Sequence, residues 1–300
     1  MKRRVRDLPP ALLMLLPAAG LLGVWTIYPL VRAVDYGHRQ CDRTLTDCRD
    51  VGWGQFTRVF QSSQFQDALW VSVKFAAFTV PAGLLLGLGL AMLADKHLRG
   101  IGVFRTIFSS TVATSVAVAS LVWFVLLQPQ IGVLADQLSG VFPSLKEPGW
   151  LNDAGTALPA VAISSVWAGL GFSFIIITAA LQSVPRELHE SALVDGAGSL
   201  RRFLNVTLPM ISPTLLFLTV VLTTRALQTY GEISLLTGGG PNEGRSKVTT
   251  NIPYLIYGRN SLIRNDIGLK TASAVLLFLL SAVFAAVQFR GFGKKVHYGG

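Results

Sequence analysis

Six stretches of this chain, at about 10–33, 68–94, 106–127, 158–183, 212–236 and 269–289, are almost wholly apolar. Each reaches the roughly 20 residues that a helix needs to cross about 30 Å of hydrocarbon. Lipid offers the backbone no hydrogen-bonding partner, so spanning segments are helices or strands of a closed barrel, and runs this long select helices. Composition agrees. Hydrophobic residues make up 51% and charged residues 14% of 300 positions, where soluble domains carry about 25% charged residues. The expected fold is an all-α integral membrane protein with six transmembrane helices. No linker, low-complexity tract or composition shift divides residues 1–300, which predicts a single domain.

The opening MKRRVR would serve as the basic end of a signal peptide. The apolar run behind it continues through LLGVWTIYPL, too long for a signal-peptide core, and predicts an uncleaved first helix. Basic residues then orient the spans. With both termini cytoplasmic, the inner segments hold Lys2, Arg3, Arg4 and Arg6, then Lys96, Arg99 and Arg105, then Arg186, Arg201 and Arg202, then Arg290, Lys294 and Lys295. Their density exceeds that of the longer outer loops at 35–66, 128–157 and 237–268. The net charge of +10 is therefore a topology signal. No basic patch interleaves with aromatics on a soluble domain, so nucleic acid is not an expected partner. The outer loops are too short for domains of their own. They are long enough for amphipathic segments lying on the membrane or covering a cavity.

Between the fourth and fifth spans lies a polar, charged loop, residues 184–211, containing PRELHESALVDGAGSLRRFLNVTLP. Pro185 opens it, and Arg186 to Asp195 suffice for about two and a half helical turns. Gly196 and Gly198 permit a sharp turn that a Cβ would resist. Leu200 to Leu208 are predicted to form a second short helix, stopped by Pro209. Glu190, Ser191 and Ala192, then Asp195 and Gly196, then Leu208 and Pro209 follow the order and spacing of E-A-A, D-G and L-P. This loop resembles the coupling loop of ABC importer permeases, with serine at 191 where alanine is usual. The resemblance implies the type I importer permease fold, with two short helices that meet at the glycine and dock in a cleft on an ATPase subunit.

The resemblance extends along most of the chain. Thr237-Gly238-Gly239-Gly240-Pro241-Asn242 is similar to the T-x-G-G-P segment after the fifth helix of carbohydrate-uptake permeases, and Val287–Arg290 with Lys295–Tyr298 is similar to their tails. Read without that likeness, the glycines mark a helix C-terminus with an exit turn. The order of AALQS-P-R, DGAG, RRF and LP is similar to that in permeases for glycerol 3-phosphate. That implies an importer of glycerol 3-phosphate or related glycerophosphodiesters. The alternative is a disaccharide or oligosaccharide of the trehalose or maltose type. By the same resemblance the partners are a second homologous permease, two ATPase subunits, an extracytoplasmic substrate-binding protein and membrane lipid. The place is the bacterial cytoplasmic membrane. No cofactor is expected on this chain, with ATP and Mg on the ATPase.

Other features exclude more than they assign. Gly239 to Ser246 is one residue from a P-loop, but Arg245 replaces its lysine, Pro241 removes a donor, and no strand precedes it. His38, His97, His189 and His297 are scattered, and no set of side chains has metal-ligand or hydrolytic spacing. The chain is not expected to be an enzyme. No internal inverted repeat suggests a secondary transporter, and no pore loop or charged ring suggests a channel.

Small residues mark close packing in the spans: Gly83, Gly87 and Ala91 in the second, and SSTVATSVAVAS in the third, where Ser110, Thr114 and Val118 share one face. Cys41 and Cys48 are the only cysteines, with six residues between them on the outer side, and are expected to form a disulfide. Arg225 lies deep in the fifth span, where an exposed guanidinium costs about 2.5–3.5 kcal/mol. Gln228, Thr229 and Glu232 follow at i+3, i+4 and i+7, so one helical face should carry all four toward a substrate path. A structural charge held by Glu232 or by a partner is the competing reading of Arg225. Lys74, in the second span, is a further candidate for the path, or else snorkels outward.

Overall fold

A computed structural model describes residues 8–41, 48–96, 99–138, 140–143, 149–241, 246–258, 263 and 266–292. The basic cluster Lys2–Arg6, His97, the stretch 242–245 and the tail 293–300 lie outside the described residues. Packing divides the chain into two units, residues 1–65 with 262–278, and residues 66–261 with 279–300. Among the described residues five helices are long and apolar enough to cross a membrane, and a helix pair bent by 106° makes six if it counts as one span.

In the first unit, helix α1 runs over Leu8–Leu22, opens into a π turn at Gly23–Ile27 and continues over Tyr28–Gly37. The Tyr28 N–H reaches back to the Gly23 carbonyl, immediately before Pro29. A proline ring pushes against the carbonyl four residues earlier, and the wider turn makes room for it. Two short strands, β1 (Arg39–Cys41) and β2 (Cys48–Asp50), pair antiparallel with Cys41 opposite Cys48. They are the departure from the all-helical expectation. The two sulfurs are 2.06 Å apart. Gly268 lies flush against the Arg39 carbonyl, where no Cβ would fit. Helix α2 (Gly54–Gln61) buries Gln55, whose Nε2 donates to Asp266 Oδ2 at 3.1 Å. Asp266 in turn accepts the Leu269 N–H at 3.1 Å, an N-cap for the last helix, α13 (Ile267–Phe292).

The second unit is organised around α7 (Ala157–Gln182), which buries a run of Ala, Gly and Ser along with Phe174 and Ile177. Helix α3 (Ser63–Ala94) lies against it. A Cβ on Gly87 would come within 2.8 Å of Ser173 Cβ, and one on Gly83 within 3.5 Å of Leu222. The glycine stripe thus serves packing within this chain. At the end of α3 the Arg105 guanidinium donates two bonds to the Ala94 carbonyl, at 2.7 and 3.2 Å. A cation there also suits the negative end of the helix.

The third span is not the single helix predicted over 106–127. Helix α4 (Ile101–Ser110) ends in a 3₁₀ turn at Thr111–Ala113, and α5 (Val116–Leu126) leaves at 106° to it. The cause is chemical. Ser109, Ser110 and Thr111 all turn their hydroxyls onto carbonyls three residues back, and extended Ser115 caps α5 by accepting the Val118 N–H at 3.3 Å. Hydroxyls that compete for backbone groups end one helix and start another. Ser110 and Thr114 therefore do not share a helical face with Val118. Helix α6 (Val133–Leu138) follows in the next loop.

Pro209 does not stop a helix as expected. Helix α8 (Arg186–Val194) is followed by α9 (Ser199–Arg202), a π turn at Phe203–Thr207, and α10 (Leu208–Leu227) without interruption. The Leu208 N–H bonds to Phe203 O, the same device that precedes Pro29. The fifth span instead breaks later, at Gln228–Tyr230, before the short α11 (Gly231–Leu236). The loop that follows holds a segment that is buried rather than surface-lying. Helix α12 (Ile252–Tyr257) has Ile252, Pro253, Tyr254, Leu255 and Ile256 all buried.

Candidate functional site: a cavity at a broken helix and a helical loop

The break in the fifth span opens one side of a cavity of about 330 Å³ in the second unit. Arg225 and Ala226 reach it from the end of α10, Gln228, Thr229 and Tyr230 from the break, and Gly231 and Glu232 from α11. Helix α7 contributes Ser165, Gly169 and Ser173, helix α3 contributes Thr79 and Gly83, and Val116 comes from the start of α5. The four polar residues expected on one helical face do line one space. They do so from two helices and a break, because Thr229 N–H bonds to Ala226 O and Tyr230 leaves helical geometry with φ −126°.

Broken helices leave carbonyls without partners, and each must be satisfied locally. Thr229 Oγ1 donates to the Arg225 carbonyl at 2.9 Å. The Thr229 carbonyl accepts from the buried Asn251 side chain. On the far wall, Ser165 Oγ donates to Glu232 Oε1 at 3.4 Å. Ser173 is buried, and its hydroxyl has no partner among the described residues. Arg225 and Glu232 form no ion pair. The described ion pairs are Arg32–Asp35 and Arg39–Asp35. The Arg225 guanidinium instead lies 6.0 Å from the centre of the Phe172 ring. Arg225 still acts on Glu232 electrostatically, without a direct ion pair.

Lys74 is not part of this cavity. At about 100° per residue it sits nearly opposite Thr79 and Gly83 on α3, is exposed, and places its ammonium 5.3 Å from the centre of the Trp70 ring. Thr79, Ser165, Gly169, Ser173 and Tyr230 were not foreseen. A signal for three of them exists, since Ser165, Gly169 and Ser173 recur at i, i+4 and i+8 as a small polar stripe on an apolar span.

In the loop of residues 184–211, α8 carries Glu187 in its first turn, where a carboxylate suits the positive end of the helix. Glu190, Ser191 and Ala192 follow in the same helix, with Ser191 Oγ donating back to the Leu188 carbonyl at 3.3 Å. The helix ends at Asp195. Gly196 N–H then bonds to Leu193 O at 3.0 Å and Ala197 N–H to Ala192 O at 2.9 Å. This pair of bonds is a Schellman closure, which requires a left-handed residue at its corner. Gly196 supplies it at φ +74°. Leu193, Val194 and Leu200 remain 54%, 89% and 69% exposed on this otherwise polar loop.

Residues 81–298 match the family described as "Binding-protein-dependent transport system inner membrane component". The chain belongs to that family. It is thus a multi-pass inner-membrane permease of the ABC importer type, a transport component and not an enzyme, in a system that works with a substrate-binding protein. Curated relatives named "sn-glycerol-3-phosphate transport system permease protein UgpA" include those of Yersinia pseudotuberculosis serotype I (strain IP32953), 32% identical over 287 residues, and Escherichia coli (strain UTI89 / UPEC), 33% identical over 291 residues. In both cases 95% of each chain is covered. Among solved structures, a permease fold is shared with a bacterial ABC transporter that imports the acidic polysaccharide alginate. The TM-score is 0.76 at 22% identity, covering 98% of both chains. The cavity and helical loop therefore sit in a permease of the binding-protein-dependent importer family.

Proposed function

We propose that this permease carries glycerol 3-phosphate or related glycerophosphodiesters inward. The observation that supports it most is Arg225, a guanidinium at a helix break in a cavity wall with no carboxylate in ion-pair contact among the described residues. A phosphate ester is a natural partner for such a group, through charge-assisted hydrogen bonds. The name borne by relatives about one-third identical over nearly the full length is in keeping. In this reading both termini are cytoplasmic and the loop of residues 184–211 docks on one of two ATPase subunits. A second homologous permease completes the pathway, and an extracytoplasmic substrate-binding protein delivers cargo. ATP and Mg belong to the ATPase, and this chain holds no cofactor. The bare Leu193, Val194 and Leu200 support the docking, since apolar side chains grouped on a polar loop mark contact surfaces. ATP-driven closure of the ATPases would rock α8 and α9 and switch the cavity from inward- to outward-facing.

A disaccharide or oligosaccharide is the second reading. Glu232, Ser165, Thr79 and Ser173 could take sugar hydroxyls, and Tyr230 offers a ring. Uptake of labelled glycerol 3-phosphate, a glycerophosphodiester, trehalose and maltose by the assembled importer, each with and without Arg225→Gln, separates the two. Loss of phosphate-ester uptake in the variant is expected. Uptake of disaccharides alone by the parent protein would overturn the first reading.

A further inference from the structure

We infer that Asn251, which does not line the cavity, is the residue that positions its broken-helix wall. This rests on the cavity being the substrate path, although its geometric half can be tested without that premise. Asn251 is fully buried and works in two directions. Its Nδ2 donates to the carbonyl of Thr229, in the middle of the break that aims Arg225, Gln228 and Glu232 inward. Its Oδ1 accepts the Tyr254 N–H at 3.0 Å and so caps α12. A side-chain amide can donate to one backbone group and accept from another at once.

The segment carrying Asn251 is fastened at several further points within the same unit. The Ile252 N–H donates to Ser72 Oγ at 3.2 Å, and that hydroxyl donates to Ala68 O at 2.9 Å, tying α12 to α3. Thr249 and Thr237 share a hydrogen bond between hydroxyls at 2.7 Å, Thr250 Oγ1 donates to Gly239 O at 2.8 Å, and Tyr254 Oη donates to Gly238 O at 2.6 Å. The segment is thus a rigid block between α3 and α11, and Asn251 is its link to the break. Without that donor the Thr229 carbonyl is a buried acceptor with nothing to meet, and the break loses its reason to sit where it does. A plain α-helical continuation through 228–230 would carry Gln228 and Glu232 to new azimuths relative to Arg225. Asn251 therefore sets the spacing of the charged and polar groups along the path while touching no cargo.

The test uses the assembled importer. Asn251→Asp keeps the acceptor for Tyr254 and replaces the donor to Thr229 with an acceptor. Asn251→Ser is the second variant. Each is combined with Gln228→Cys, and the rate of maleimide labelling is compared with that of the Gln228→Cys complex in which Asn251 is intact. A change of about fivefold or more in labelling rate is expected, the scale set by leaving a buried carbonyl without its donor. A raised KM for uptake should accompany it, with the amount of complex recovered with its ATPase unchanged. An unchanged labelling rate in intact complex would overturn the inference. So would loss of complex in both variants, which would make Asn251 a folding residue alone. If labelling shifts while Arg225→Gln leaves uptake untouched, the positioning role stands and the substrate-path reading falls.

Discussion

Replacing Gly196 by valine isolates the contribution of one backbone angle. The residue sits at φ +74°, and an added Cβ there would meet nothing within 4 Å. The penalty is therefore conformational and not steric. Holding an L-residue in left-handed geometry costs about 1–2 kcal/mol, with β-branched residues at the high end. A cost of about 2 kcal/mol lowers the population of the Schellman closure by roughly 30-fold. With that closure opened, α8 and α9 no longer meet at a fixed angle. Uptake by Gly196→Val should fall by at least about tenfold, while the protein still inserts. Gly196→Asn, which tolerates the same angle, should recover most of it, and Gly196→Ala should lie between. Uptake in reconstituted vesicles, together with exchange of the Ala197 amide proton bonded to Ala192, measures cause and effect in the same samples. Parent-level uptake by the valine variant would refute the reasoning. An asparagine variant as impaired as valine would show that conformation is not the cause.

Three further outcomes are expected. Arg225→Gln should lower glycerol 3-phosphate uptake at least about tenfold, and Arg225→Lys should retain part of it, at unchanged membrane levels and ATPase co-purification; parent-like uptake kinetics would remove Arg225 from the path. Cys41 and Cys48 should resist thiol labelling in oxidised membranes under denaturing conditions and label fully after reduction; equal labelling before and after would count against the bridge. Gly87→Ala places a Cβ about where Ser173 Cβ lies 2.8 Å away and should cost about 1–3 kcal/mol of packing, read as a lower detergent melting temperature. Gly89→Ala, with open space around it, should leave that temperature unchanged.

Features encoded locally were readable in advance. The spans announce themselves by hydropathy, and the turn at Gly196 follows from a glycine behind a short amphipathic run. The glycines at 238–240, all at positive φ, form the exit turn their composition suggests. What escaped depends on competition or on distant partners. The bend before Ser115 could not be told from a straight span, because serine and threonine can either bond back to their own helix or cap a new one. Pro209 read as a terminator since a π turn, which lets the helix continue, leaves no composition signature. Arg225, Gln228, Thr229 and Glu232 line one cavity, but not from the single helical face that their spacing suggests, and the break among them is tied to Asn251, 22 residues beyond Thr229. Lys74 was drawn in by its charge, when its azimuth on α3 already pointed away from Thr79.

The uninterrupted run from Ser199 to Leu227, 29 residues, is a mechanical lever. One arm begins beside Gly198 in the helical loop and the other ends at Arg225, about 40 Å away at 1.5 Å per residue. A tilt of only about 5° about the loop end would carry the guanidinium through some 3 Å, roughly the length of a hydrogen bond. A nudge at the loop is thus amplified into the making or breaking of a contact at the far tip. The π turn at Phe203–Thr207 and Pro213 both interrupt the regular ladder of the rod, so stiffening or loosening either should change the gain without altering either end.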